Sequence, residues 1–89
     1  MKAIVTVVGV DRVGIIGEIC TTLASLQINI VDISQTVMQN YFTMIMMVDT
    51  STSTCTLDEI NETLHRKEQE MGLSIRIQRE DIFQAMHRI

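Results

Sequence analysis

The sequence has no proline and no tryptophan, two cysteines, and only one tyrosine and two phenylalanines among its 89 residues. With no proline-rich linker, internal repeat or low-complexity segment to divide it, the chain reads as one domain over residues 1–89. So few aromatics leave the core to Ile, Val, Leu and Met, within an apolar share of 46% that marks a globular chain. Basic residues are outnumbered 7 to 11, for a net charge of −4. Without clustered Lys and Arg the main attraction to a phosphate backbone is missing, which argues against nucleic acid. No apolar run approaches the ~20 residues that span a bilayer. The N-terminus opens as a strand-like run rather than a basic, apolar leader, so no membrane role is expected and the cytoplasm is the expected location. Cys20 and Cys55 form no CxxC motif and their spacing leaves their redox state open; Cys20 falls in an apolar helical stripe that suits a small buried thiol.

The apolar residues are arranged in alternating strand and helix periods. Lys2 to Gly9 is β-branched and almost continuously apolar, which predicts a central strand covered on both faces and ended by Gly9. Ile16, Ile19, Cys20, Leu23 and Leu26 recur at helical spacing from Ile15 onward. Residues 28–38 mix apolar and polar positions as a sheet edge does, and Gln39-Asn40 suits a two-residue hairpin turn, with Asn tolerating a left-handed conformation, into a strand from Tyr41 to Asp49. Thr56 and Glu59 have capping-box spacing ahead of the stripe Leu57, Ile60, Leu64, Met71, and Gly72 stops that helix. Leu73, Ile75 and Ile77 alternate with Ser74, Arg76 and Gln78, the period of a strand with one wet face. Asp81 to Ile89 suggests a short C-terminal helix.

This order, βαββαβ plus a helical tail, predicts an α+β ferredoxin-like sandwich: a four-stranded antiparallel sheet with two helices on one face. Residues 41–48 alternate with apolar groups on both sides, so the helix-free face calls for a cover. Ile82, Phe83, Met86 and Ile89 form an apolar helical face that could provide it, within one chain or across a dimer. A domain this small buries only about 60% of its unfolded surface, and dimerisation is an obvious remedy.

The most informative stretch is the polar loop Asp11-Arg12-Val13-Gly14, which runs from an apolar strand into a helix. First-turn N–H groups of a helix lack intrahelical partners, so an anionic group such as a carboxylate suits the site. Gly9 and Gly14 have phosphate-loop spacing, but Ile15 and Ile16 stand where Lys and Ser or Thr are required, and Gly9, Gly14 and Gly17 miss the dinucleotide-binding spacing. A plain turn accounts for Gly9; Gly14 suits either close backbone packing or close ligand approach. His65 and His87 sit among charged residues with no second metal ligand at the right spacing, so solvated surface histidine is the plainer reading. Met44 and Met46 share a strand face that Met47 does not, so core filling outweighs copper binding. Arg66 to Glu70 is mixed in sign and reads as a solvated helix face. Asp11 and Arg12, which could simply form a surface ion pair, are the loop's only candidates for chemistry; no nucleophile, base and oxyanion set is present, and no catalytic residue, metal or cofactor is assigned.

The segments VTVVGVDRVGII, INIVDISQT, YFTMIMMVD and IFQAM, with Asn29-Ile30 and Asp32-Ile33 opening the second strand, resemble an ACT domain over essentially the whole chain. They are most similar to the small stand-alone bacterial ACT proteins of uncharacterised function, and also to ACT modules of glycine-cleavage repressors and formyltetrahydrofolate deformylases. Many such families place Pro where Val13 stands here. The resemblance implies side-by-side homodimers paired through the second strand, with an amino acid held between the first loop of one subunit and the second strand of the other. It implies a ligand carboxylate on the N–H groups of Val13, Gly14, Ile15 and Ile16 beside Asp11 and Arg12. It also implies that Asn29 and Asp32 hold the ammonium, with Ile30 and Val31 as pocket wall.

The leading expectation is thus a non-enzymatic, amino-acid-binding regulatory module whose regulated protein is a separate, unidentified chain. The alternatives are a ligand-free dimeric scaffold and, less favoured, a small acylphosphatase-like enzyme, for which the loop lacks a phosphate cradle rich in glycine with arginine and asparagine.

Overall fold

The computed structural model describes residues 1–81. Six elements follow in order: β1 (Lys2–Val10), α1 (Ile15–Ser25), β2 (Asn29–Met38), β3 (Tyr41–Asp49), α2 (Leu57–Met71) and β4 (Ser74–Arg79). All strand pairs are antiparallel, in the order β2-β3-β1-β4. This is the expected ferredoxin-like arrangement, with β2 at a sheet edge. Of the expected C-terminal helix, Glu80 and Asp81 are helical and residues 82–89 lie outside the described residues.

Strand alternation and helical stripes meet in one core. Ala3, Val5 and Val7 of β1, Phe42, Met44, Met46 and Val48 of β3, and Ile75 of β4 are buried with Ile15, Ile19 and Leu23 of α1 and Ile60, Leu64 and Met71 of α2. Each of these side chains other than Ala3 contributes roughly 1.5–3 kcal/mol by leaving water. Met47 turns to the opposite sheet face from Met44 and Met46, as strand geometry requires.

Polar groups at the helix ends hold this packing in place. At the start of α2 the Glu59 N–H donates to Thr56 Oγ1 (3.2 Å) and the Thr56 N–H donates back to Glu59 Oε1 (2.9 Å), the capping box expected from the spacing. Gly72, at φ 67°, closes α2 in a left-handed conformation. The Ser/Thr loop before α2 also serves α1: Ser53 Oγ donates to Leu26 O (2.6 Å) and Thr52 Oγ1 to Gln27 O (2.8 Å), satisfying carbonyls at the helix end. The charged run on α2 is more than a solvated face. Lys67 Nζ reaches Glu18 of α1 and Glu70, both at 3.5 Å, and Glu68 Oε2 accepts the Ile75 N–H at 2.7 Å.

Several details differ from the pattern-based expectation. β1 does not end at Gly9 but runs through it to Val10, with Gly9 opposite Phe42. A Cβ on Gly9 would run into Leu73 Cδ2, so close packing, not a turn, requires glycine here. β1 is not fully covered on its second face: Ile4 is buried, whereas Val8 and Val10 are exposed. The buried stripe of α1 is Ile15, Ile19, Leu23 rather than one starting at Ile16; Ile16 is 37% exposed and Cys20 half-buried. Ile15, Ile19 and Leu23 are spaced four apart on one side of α1, which turns Ile15 inward and leaves Ile16 at the margin. Both cysteines are free thiols. In the hairpin turn, the left-handed residue is Gln39, at φ 56°, the residue before Asn40.

Two outcomes follow from these contacts. Gly9→Ala lowers the unfolding free energy by about 1–3 kcal/mol through overpacking, and Leu73→Ala in the same chain recovers part of that loss in urea titrations; strictly additive costs would show that Leu73 is not the obstacle. At α2, Thr56→Ala costs about 1 kcal/mol. The Thr56 N–H, and then its hydroxyl, hold the Glu59 carboxyl below the usual glutamate range. Its stabilising contribution is therefore full above the unfolded-state value of about 4.3 and is lost as pH falls through the lower folded-state value. Glu59→Gln keeps the box geometry and flattens this part of the acid-side stability profile.

Candidate functional site

The β1–α1 loop is shaped by one glycine and one backbone tie. Asp11 N–H donates to Asn40 O (2.8 Å), fastening the loop to the β2–β3 turn. Gly14, at φ 92° and ψ −3°, is the N-cap of α1, and no side chain caps this helix. Nothing lies within 4 Å of where a Gly14 Cβ would sit, so its conformation, not close packing, demands glycine. The first intrahelical bond runs from Glu18 N–H to Gly14 O (3.0 Å). The N–H groups of Ile15, Ile16 and Gly17 therefore precede the hydrogen-bonded ladder, at the positive end of the helix dipole. Ile15 anchors this end in the core, while Asp11, Arg12 and Val13 are exposed, Val13 completely. Asp11 and Arg12 do not form an ion pair with each other among the described residues.

The second set of site residues opens β2. A bulge between Ile30 and Asp32 leaves Val31 without a ladder partner on β3 and 51% exposed. Ile30 is half-buried against the core, Asn29 pairs with Asp49, and Asp32 Oδ1 accepts the Ile33 N–H at 2.9 Å. Hydrogen bonds from the Ser51 hydroxyl, then the Ser51 N–H, with the nearby N-terminal ammonium, hold the Asp49 carboxyl below its ordinary value.

The chain does not bring these two sets together. The loop leaves β1 after Val10, opposite Tyr41, whereas Asn29 lies opposite Asp49. Those β3 residues are eight positions apart, about 26 Å at ~3.3 Å per residue. The loop is tied instead to Asn40, in the turn at the far end of β2, which the sequence did not mark as a site residue; no local signal joins Asp11 to Asn40.

The two sheet edges differ. On β4, the Glu68 carboxylate occupies the outward N–H of Ile75, and Asn61, His65 and Arg76 line the groove beside it. His65 is exposed, with Nδ1 3.2 Å from Glu68 Oε1. On β2, Ile33 and Val37 pair with Met46 and Phe42, which places them on the helix-covered face, yet they are 40% and 53% exposed. They form an apolar rim along the open strand. Among the described residues no three His, Cys, Asp or Glu side chains are placed to hold a metal ion, and no helix is long and apolar enough to cross a membrane.

Comparison with known proteins assigns this architecture. A family model described as ACT domain matches residues 2–78. A UPF0237 protein of Clostridium acetobutylicum is 52% identical over 89 residues, covering 100% of both chains. Among solved structures, an ACT domain protein from Streptococcus pneumoniae superposes with a TM-score of 0.82 at 40% identity, over 98% of each chain. A formyltetrahydrofolate deformylase from Pseudomonas syringae pv. tomato matches with a TM-score of 0.76 at 26% identity, over 88% of this chain but only 27% of the enzyme. The shared region is thus a module of that larger protein. With its fold, its uncapped loop–helix junction and its open second strand in place, the chain belongs to the ACT-domain family and, within it, to the UPF0237 proteins.

Proposed function

We propose that this chain is a non-enzymatic regulatory module that binds an amino acid at the interface of a homodimer formed by antiparallel pairing of two β2 edges. The separation of the two half-sites carries this reading. Antiparallel pairing about a twofold axis sets the first residues of one β2 opposite the last residues of the other. The β1–α1 loop lies at the Met38 end, so such pairing carries the partner's Asn29 and Asp32 toward it, and the separation within one chain becomes proximity between two.

The edges support the same choice. β4 already has an N–H taken by Glu68, whereas β2 carries the exposed apolar pair Ile33 and Val37, so pairing β2 relieves exposed apolar surface and an open edge together. In this assembly the ligand carboxylate takes the N–H groups of Val13, Gly14, Ile15 and Ile16 beside Asp11 and Arg12, and the ammonium takes the partner's Asn29 and Asp32. Ile30 and Val31 at the bulge form the wall. A ligand that touches both chains favours the dimer by its differential affinity, and the output passes to a separate protein.

The test is a thermal-shift panel of the twenty amino acids with sedimentation of any hit. A ligand at about ten times its Kd adds about 1.4 kcal/mol, or roughly 6–11 °C in a domain this size. A selective hit that tightens the dimer and is lost in Asn29→Ala is the expected result. A stable dimer with no hit at millimolar concentration supports the scaffold reading instead, and turnover abolished by Asp11→Ala would establish an enzyme. The loop gives a second outcome: Gly14→Ala, at positive φ, destabilises by about 1 kcal/mol or more and weakens ligand binding. Gly17→Ala, helical and with open space around its Cβ, is neutral to stabilising by up to about 1 kcal/mol.

A further inference from the structure

A bulge and one carboxylate set the state of the β2 edge. Asn29 pairs with Asp49 and Asp32 with Met47, two residues apart on β3, so the extra residue Val31 lets Asn29 and Asp32 share the helix-free face of the sheet. Without the bulge their spacing of three would put them on opposite faces. Asp32 turns its Oδ1 from that face back to the edge, 2.9 Å from the Ile33 nitrogen.

That N–H is one of the groups a partner strand needs. Met38 and Tyr41 close the two-residue turn as a hydrogen-bonded pair, and the bonds of an antiparallel ladder alternate from there. Thr36, Ser34 and Asp32 therefore bond to β3, while Val37, Gln35 and Ile33 turn their N–H and C=O groups outward. A count from the other edge agrees. The Ile75 N–H leaves β4 toward Glu68, so along the row Ile75, Val7, Met44, Gln35 the bonds fall between Val7 and Met44, and Gln35 again faces outward. The row Ile33, Gln35, Val37 is the pairing edge, and Asp32 occupies its first N–H.

We infer that Asp32 is a releasable guard on the β2 edge: in a lone chain its carboxylate caps the Ile33 N–H against strand pairing, and a ligand ammonium that draws the carboxylate toward Asn29 frees this N–H for the partner strand. The inference rests on the amino-acid-binding β2 dimer proposed above and gives that dimer its coupling to ligand.

The two edge carboxylates differ in what holds them. Glu68 reaches Ile75 from α2; its Oε2 accepts the strand N–H, its Oε1 lies 3.2 Å from His65 Nδ1, and its side chain is only 26% exposed. Fastened at both oxygens, it keeps β4 capped. Asp32 is exposed and caps the N–H of its own neighbour, so rotation about its side-chain bonds releases it without moving another element. It borders a hollow of about 160 Å³ with Ile45 and Met47, open space on the helix-free face into which the carboxylate can turn. The coupling has a definite sign. A ligand that holds Asp32 away eases pairing of the edges, and by linkage pairing raises ligand affinity by the same factor. Removing the carboxylate opens the edge with no ligand at all.

The experiment is sedimentation equilibrium of the full chain and its Asp32→Ala and Asp32→Asn variants, first without ligand and then in an equimolar mixture of the twenty amino acids at millimolar concentration. We expect Asp32→Ala to tighten the ligand-free dimer about fivefold, because two exposed hydrogen bonds of small net worth no longer have to break per dimer. Asp32→Asn keeps an acceptor oxygen in place and stays near the unsubstituted value. The mixture tightens the unsubstituted dimer and leaves Asp32→Ala unmoved. An Asp32→Ala dimer no tighter than the unsubstituted one would overturn the guard. So would equal tightening by both variants, which identifies charge repulsion rather than the hydrogen bond as the obstacle. A mixture without effect on any chain, beside a tighter Asp32→Ala dimer, overturns the amino-acid reading and upholds the guard. Chains that sediment as monomers at every concentration overturn the β2 dimer and the guard with it.

Discussion

The pairing of β1 with β3 is the constraint on which the other features rest. Nine consecutive residues of each strand align, from Lys2 with Asp49 to Val10 with Tyr41, and they lie some forty residues apart in the chain. Because side chains alternate between faces, a slip of one residue would turn Ala3, Val5 and Val7 away from the helices and bring Ile4, Thr6 and Val8 inward. The fixed register decides which apolar residues build the core and which remain on the helix-free face. It also brings the end of β1 against the β2–β3 turn, where Asn40 receives the Asp11 N–H, and so positions the loop that opens α1.

With β1 and β3 at the centre, β2 and β4 become edges, and the chain treats them differently. α2 supplies Glu68 to β4 as a carboxylate cap on a strand N–H. β2 instead has a bulge, an outward valine and a rim of exposed aliphatic side chains. An edge left open beside an uncapped helix start is costly in a monomer and useful in an assembly.

Much of this was legible in the residues. The alternation from Leu73 to Gln78, the Thr56–Glu59 box and the stop at Gly72 are local patterns with local causes, and the structure contains each of them. The edge character of residues 28–38 was visible because polar and apolar residues mix there without a clean period. What escaped were contacts between distant segments. Nothing near Gly9 announces that Leu73 fills its side-chain space, so its glycine read as a turn. On α1 the stripe was read correctly at Ile19 and Leu23, which are buried, but its first member is Ile15 rather than Ile16; the two are chemically alike, and only the packed core distinguishes them. Glu68 sat within a mixed-charge run that resembles any solvated helix face, and its bond to Ile75 exists only after α2 and β4 are packed together. The two halves of the candidate site could be named from resemblance, but the distance between them could not; it depends on the whole sheet order.

That distance has a consequence for how such a protein behaves in a cell. On the proposed reading, a lone chain holds two separated halves and no binding site, so the concentration of liganded dimer rises with the square of the free monomer concentration as well as with the ligand. A cell that makes more of the protein lowers the ligand level at which half of it responds. Expression level then acts as a sensitivity dial, with no change to a single side chain in the pocket.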